Sequence, residues 1–160
     1  MNNVPRDRRA RRRLASEVLN ALRDVNGQLI VLNHQVGARV SLRHVDLSCL
    51  DQIARYGPIS PGALAKRVGM HPATMTGILD RLERSGWIAR ERDPGDRRAV
   101  TVRTLPDRGV ELFRLYTGMR SALDQICADY DTEQLELILG FLNQVADAGE
   151  RSAAELTDQA

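Results

Sequence analysis

The sequence predicts a mainly α-helical chain carrying one small β-hairpin. Three observations lead there. Apolar residues recur at steps of three and four over most of the 160 residues. Glycine and proline punctuate the middle of the chain at helix-length intervals. One pair of short alternating segments flanks Asp93-Pro94-Gly95-Asp96, a turn signal. Aromatic residues make up only 4% and hydrophobic residues 42%. The core must therefore be built from Leu, Val, Ile and Ala, a mix that suits helices better than a β-sandwich.

Residues 1–13 hold Pro5 and the run Arg8-Arg9-Ala10-Arg11-Arg12-Arg13. They are expected as a basic flexible tail, with the solvated start of a helix as the other reading. Leu14, Val18, Leu22, Val25, Leu29, Leu32 and Val36 then trace one stripe of a long first helix. It ends between Gly37 and Ser41. Residues 46–56 make a shorter helix with Leu47, Leu50 and Ile53 inward, stopped by Gly57-Pro58. Ser60 caps the next helix with Pro61 at its first position, and Gly69 ends it. After a turn at Met70-His71, Pro72 opens a fourth helix that runs to about Ser85. Its inward face is Met75, Ile78, Leu79 and Leu82, and Gly86 closes it.

Residues 87–92 and 98–103 read as two strands, with Val100 and Val102 on one face of the second. Two long helical segments complete the chain. The first carries Leu112, Leu115, Tyr116, Met119, Leu123, Ile126 and Tyr130. The second starts at Asp131 or Thr132 and carries Leu135, Ile138, Leu142 and Val145.

The order helix, helix, glycine turn, helix, hairpin is that of a winged helix-turn-helix. The expected organisation is a basic tail (1–13), a winged helix-turn-helix (46–104), and a helical dimerisation region made of 14–45 and 105–160. The amphipathic helices outside the winged part expose more apolar surface than so small a domain can cover, which points to a homodimer.

Charge supports a polyanionic partner. Residues 1–43 carry +6, residues 44–105 carry +3 and residues 106–160 carry −7. A basic front suits double-stranded DNA, and an ordinary solvated surface is the alternative. The fourth helix is narrow enough for a major groove. Its inward positions leave Thr74, Thr76, Gly77, Asp80 and Arg81 outside. Thr74 and Thr76 can meet base edges, thymine methyls or phosphates. Gly77 is open to two readings, a close backbone approach to DNA or a tolerated helix glycine costing about 1 kcal/mol. Arg81 has two as well, DNA contact or an internal ion pair. At the hairpin tip Asp96-Arg97-Arg98 presents two guanidiniums, the group favoured by a narrow minor groove, with a charged tip that merely keeps the loop soluble as the other reading.

Other classes find little support. There are no paired carboxylates on one face, no Ser/His/Asp arrangement, no phosphate-binding glycine loop and no metal spacing, so neither an enzyme nor a cofactor is expected. Cys49 and Cys127 lie far apart and form no disulfide pattern. No apolar run approaches the ~18 residues of a membrane span. Nothing after the arginine-rich start resembles a signal peptide. The expected location is the cytoplasm, away from membranes.

Two stretches carry a resemblance. These are Thr74-Met75-Thr76-Gly77-Ile78-Leu79-Asp80-Arg81-Leu82-Glu83-Arg84-Ser85-Gly86-Trp87-Ile88 and Arg92-Asp93-Pro94-Gly95-Asp96-Arg97-Arg98-Ala99-Val100. Together they resemble the multiple-antibiotic-resistance regulator (MarR) family of bacterial transcription regulators. The resemblance spans residues 45–109 and extends in pattern over 14–148. It implies a repressor-like regulator, with N- and C-terminal helices packing a homodimer and each winged domain reading half of a pseudo-palindromic site. It further implies that Asp96 orients Arg98 into the minor groove, that Arg97 sits beside phosphates, and that Thr74 to Gly77 lie in the major groove. A small phenolic or anionic effector is implied too, in a region that would include His34, Arg39, Arg43 and His44, with surface or interhelical hydrogen bonding of these four residues as the favoured alternative. The chain departs from the family pattern at His71, where a serine-like cap is usual, at Gly77, often basic, and at Pro106 in place of threonine. These departures leave room for a winged protein-interaction module, such as an anti-repressor, that binds no specific DNA.

Overall fold

The computed structural model describes residues 4–92 and 99–158. The chain divides into two compact units, up to Ser48 and from Cys49 onward. The boundary falls inside the second helix.

The first unit is dominated by α1, Val4–Val40. The arginine run lies within this helix, which fits the helix-start reading of this segment and not the flexible tail. Pro5 sits in the first turn, where its missing N–H costs nothing. No later proline interrupts, arginine is a good helix former, and Arg13 pairs with Glu17 one turn on at 3.4 Å. Of the α1 stripe, Leu14, Val25 and Leu29 stay exposed, Leu14 to 61%. Only Val36 is fully buried. The helix ends on Ser41 in the left-handed region (φ 57°). The Leu42 N–H donates to the Gly37 carbonyl at 2.9 Å, a Schellman closure. A Cβ on Gly37 would meet the Leu42 carbonyl oxygen at 2.5 Å, so this turn requires glycine.

Helix α2, His44–Tyr56, opens on a carboxylate. The Arg43 backbone N–H donates to Asp46 Oδ2 at 2.9 Å, which gives the buried Asp46 a partner and closes the first turn. Leu47, Leu50 and Ile53 are buried as their spacing predicts, and Cys49 is buried beside them in sequence.

In the second unit, α3 (Pro61–Arg67) and α4 (Pro72–Arg84) form the helix-turn-helix. Ser60 Oγ accepts from the Ala63 N–H at 3.2 Å, the expected cap. Gly69 (φ 66°) takes the left-handed conformation that ends α3. Leu64, Met75, Ile78, Leu79 and Leu82 are all buried. Gly86 (φ 73°) ends α4, and the Trp87 N–H donates back to the Leu82 carbonyl at 2.9 Å. Trp87 therefore belongs to the helix closure and not to the strand in which the sequence reading began the hairpin.

The hairpin is antiparallel: β1 (Ile88–Arg92) pairs with β2 (Val100–Thr104), with Arg90 opposite Val102 and Arg92 opposite Val100. A third backbone segment joins it. Ile59, from the link between α2 and α3, exchanges both backbone hydrogen bonds with Val102, at 3.1 and 2.8 Å. Two strands alone are marginal in water. Here Ile88 and Val102 are buried and the sheet packs against α3 and α4.

The segment expected as one long helix after the hairpin is two, α5 (Pro106–Leu115) and α6 (Thr117–Ala128). Tyr116 breaks it at φ −94°, ψ 0°, the bridge region. The β-branched Thr117 and then Gly118 follow, a poor place to propagate a helix. Pro106 takes the first position of α5, and Leu105 precedes it with no side-chain cap, so the helix start relies on proline's fixed φ. Helix α7, Thr132–Asp158, opens on a reciprocal capping box. The Gln134 N–H donates to Asp131 Oδ1 (2.8 Å), and the Asp131 N–H donates to Gln134 Oε1 (2.9 Å). No described residue of α5, α6 or α7 is buried. Among the described residues no helix is long and apolar enough to cross a membrane.

Leu79 has no exposure at all. Leu79→Ala is expected to lower unfolding stability by about 2–5 kcal/mol, read as a lower urea midpoint with an unchanged slope.

Candidate nucleic-acid interface

The site is built on α4. Burying Met75, Ile78, Leu79 and Leu82 fixes the rotation of the helix. Thr74, Thr76 and Gly77 are consequently exposed on its other side, and His71 is exposed at its N-terminal end. Thr76 turns its hydroxyl back to the Pro72 carbonyl at 3.1 Å while the residue stays exposed. A Cβ on Gly77 would meet nothing within 4 Å. The protein's own packing therefore makes no demand for glycine there. Asp80 and Arg81 are half-buried.

His71 is the N-cap of α4, a role the sequence reading missed. Its Nδ1 accepts from the Ala73 N–H at 3.2 Å. The ring must hold its proton on Nε2 to do so. An imidazole nitrogen thus substitutes for the usual serine oxygen, and the helix keeps a capped start. The free ring edge lies at the exposed N-terminal end of α4.

The hairpin is locked to the same helix. The Arg90 guanidinium donates to Asp80 Oδ1 at 2.6 Å and to Glu83 Oε2 at 2.7 Å, and the Arg90 backbone N–H donates to Glu83 Oε1 at 3.1 Å. Burial works against the Arg90 charge. The Asp80 hydrogen bond and the charge of both carboxylates outweigh it, so the guanidinium stays more basic than usual. Further out, Arg103 Nε donates to Glu91 Oε1 at 2.6 Å across the strands. At the base, Arg108 stacks over Trp87, 4.7 Å from the ring centroid.

Asp96, Arg97 and Arg98, the expected hairpin-tip residues, lie outside the described residues. The strand ends that lead to them, Arg92 and Val100, are exposed. The four residues considered for an effector are all exposed in the first unit: His34 and Arg39 on α1, Arg43 and His44 at the start of α2. His44 accepts the Ser48 hydroxyl through its backbone carbonyl at 3.1 Å. The structure adds no further contact that gathers these four side chains into one site.

Two short helices at a glycine turn, with an open edge on the second and a hairpin fastened to its back, define a winged helix-turn-helix DNA-binding transcription regulator. The chain belongs to the MarR family, whose model matches residues 42–100. It is 34% identical over 131 residues to the uncharacterized HTH-type transcriptional regulator YcgE of Bacillus subtilis strain 168, covering 81% of this chain and 85% of that one. Among solved structures it is similar to the transcriptional regulator Tm0710 from Thermotoga maritima, with TM-score 0.60 and 26% identity over 87% of this chain and 98% of the other. It also shares the fold of a MarR family protein from Bacillus stearothermophilus, with TM-score 0.65 and 19% identity over 85% and 95% of the two chains.

The cap makes a direct prediction. His71→Ala removes the acceptor and should cost about 1 kcal/mol of stability, whereas His71→Ser should retain most of it. Thermal unfolding of the three proteins at neutral pH checks the order.

Proposed function

We propose that this regulator is a homodimeric repressor that reads a pseudo-palindromic operator, with α4 in the major groove and the hairpin tip in the flanking minor groove. The observation that carries the reading is the uncovered edge Thr74–Gly77, on a helix whose rotation is fixed by its buried side. Gly77 has open space around it, which leaves room for a close backbone approach there. A DNA backbone or base edge could come within van der Waals reach of the helix. Thr74 and Thr76 supply small polar and methyl groups for that contact.

Arg97 and Arg98 complete the reading from the sequence side. In the sequence two arginines follow Asp96 between β1 and β2, the residue type suited to phosphates and a narrow minor groove. Asp96 pairing with Arg98 would hold that side chain extended. The winged part is residues 46–104, and 14–45 with 105–160 serve dimerisation. The apolar residues left uncovered in each unit support the dimer: Leu14, Val25 and Leu29 on α1, and Leu123, Ile126, Leu137, Leu139 and Phe141 on α6 and α7. Leu137 is 75% exposed, and a second copy would remove such surface from water. The protein would act in the cytoplasm, where its DNA lies. A small phenolic or anionic effector would be met by the exposed cations Arg39 and Arg43 with His34 and His44.

Two measurements test this. Light scattering should return twice the 17.8 kDa chain mass, and a monomer mass would sink the dimer. Genomic fragments selected by the purified protein should be bound in a gel shift with steep salt dependence. Arg98→Ala should weaken that binding by about 1–3 kcal/mol. Full-strength binding by Arg98→Ala would refute the wing assignment, and failure to select any fragment would favour the protein-interaction module.

A further inference from the structure

The first three turns of α1 carry a density of positive charge that the operator-reading helix and wing do not account for. Arg8, Arg9, Arg11, Arg12 and Arg13 are all helical and all exposed. Among the described residues, the one ion pair these arginines make is Arg13 with Glu17. At about 100° per residue, Arg8, Arg9, Arg12 and Arg13 share an arc of about 140°. The stripe of Leu14, Val18, Leu22, Val25 and Leu29 lies on roughly the opposite side of the same helix. Covering that stripe would leave these four guanidiniums facing water, whereas Arg11 lies on the side of the stripe.

The arrangement disfavours the helix on its own. Arg8–Arg12 and Arg9–Arg13 are like-charge pairs at i, i+4, and Arg8–Arg11 and Arg9–Arg12 at i, i+3. A polyanion reverses the sign of each of these terms. The four-residue rise from Arg8 to Arg12 is about 6 Å, over which duplex DNA presents about three to four phosphates. A membrane surface fits less well, because residues 4–13 offer only Val4, Pro5 and Ala10 and so no apolar face to insert.

We infer that the arginine face of α1 is a second, sequence-independent DNA contact, made to phosphates and separate from the operator reading by α4 and the wing. It rests on the proposed DNA binding. It assigns to α1 a share of the affinity that depends on charge and not on sequence, beside that of the wing arginines.

The test compares the full chain with the triple variant Arg8→Gln, Arg9→Gln, Arg12→Gln, which spares the Arg13–Glu17 pair. The probes are a duplex selected from genomic DNA, with its native flanks, and a scrambled duplex of equal length. Circular dichroism and light scattering should show the same helix content and mass for both proteins. The log–log slope of affinity against salt should become shallower by about 0.9 per phosphate lost, up to about 2.7 for three. Affinity should fall by the same factor on both duplexes, so that their ratio is preserved. An unchanged slope overturns the inference. So does a loss confined to the selected duplex, which would mean base reading. Anionic phosphatidylserine vesicles that bind the parent but not the variant, with DNA slopes equal, would overturn it in favour of a membrane. If the parent binds neither duplex, the proposed function itself has failed.

Discussion

One row of backbone holds the winged unit together. Ile59, Val102 and Arg90 lie side by side across the sheet, contributed by the α2–α3 link, β2 and β1. Val102 is wholly buried and exchanges both of its backbone hydrogen bonds with Ile59. Arg90, opposite it, reaches out of the sheet to Asp80 and Glu83 on α4. A two-stranded ribbon has too little buried surface to set its own direction. This row gives it a third partner on one edge and a charged clamp on the other. The aim of the hairpin relative to α4 follows from that row.

The clamp combines position with modest energy. Its partners are 48% and 38% exposed, and surface ion pairs contribute little individually. What distinguishes it is geometry. A planar guanidinium spans two carboxylates one turn apart on α4, while the adjacent backbone N–H fills a third acceptor. Lysine could satisfy one carboxylate but not the pair with fixed orientation. Asp80 and Glu83 are therefore committed to holding the hairpin. Arg90 offsets one of their two negative charges, which weakens a repulsive term for a helix proposed to approach phosphates.

Much of this was legible in the sequence because it is local. Ser60-Pro61, Gly69, Pro72 and Gly86 mark helix ends through backbone rules that act within four residues. The inward sets of α2, α3 and α4 follow from a 3.6-residue period. What escaped depends on partners distant in sequence or on unusual chemistry. Ile59 forms a bridge of a single residue, and one residue has no periodicity. Arg90 finds its carboxylates seven and ten residues back, across a change from helix to strand. His71 caps through a ring nitrogen, outside the usual set of capping oxygens. The arginine run left tail and helix start both open, because charge density opposes order while arginine favours helix, and it is continuous with α1. The break at Tyr116 falls inside an apolar period that does not itself change phase, so the pattern alone could not show it.

The two ends of the chain follow a different logic from the middle. In the winged unit nearly every apolar helix position is covered by the same chain, so its fold is largely self-sufficient. Helices α5 to α7 bury nothing among their described residues, and most of α1 is equally bare. Isolated helices gain most of their stability from packing an apolar face. These segments therefore depend on a partner in a way that α3 and α4 do not. In the proposed dimer this couples assembly to DNA reading. Stabilising the long helices by association fixes the spacing of two otherwise independent winged units, and only a fixed spacing can distinguish paired half-sites from single ones. Affinity for a single half-site would then persist at low protein concentration, while discrimination for the whole operator would appear only as the helices become covered.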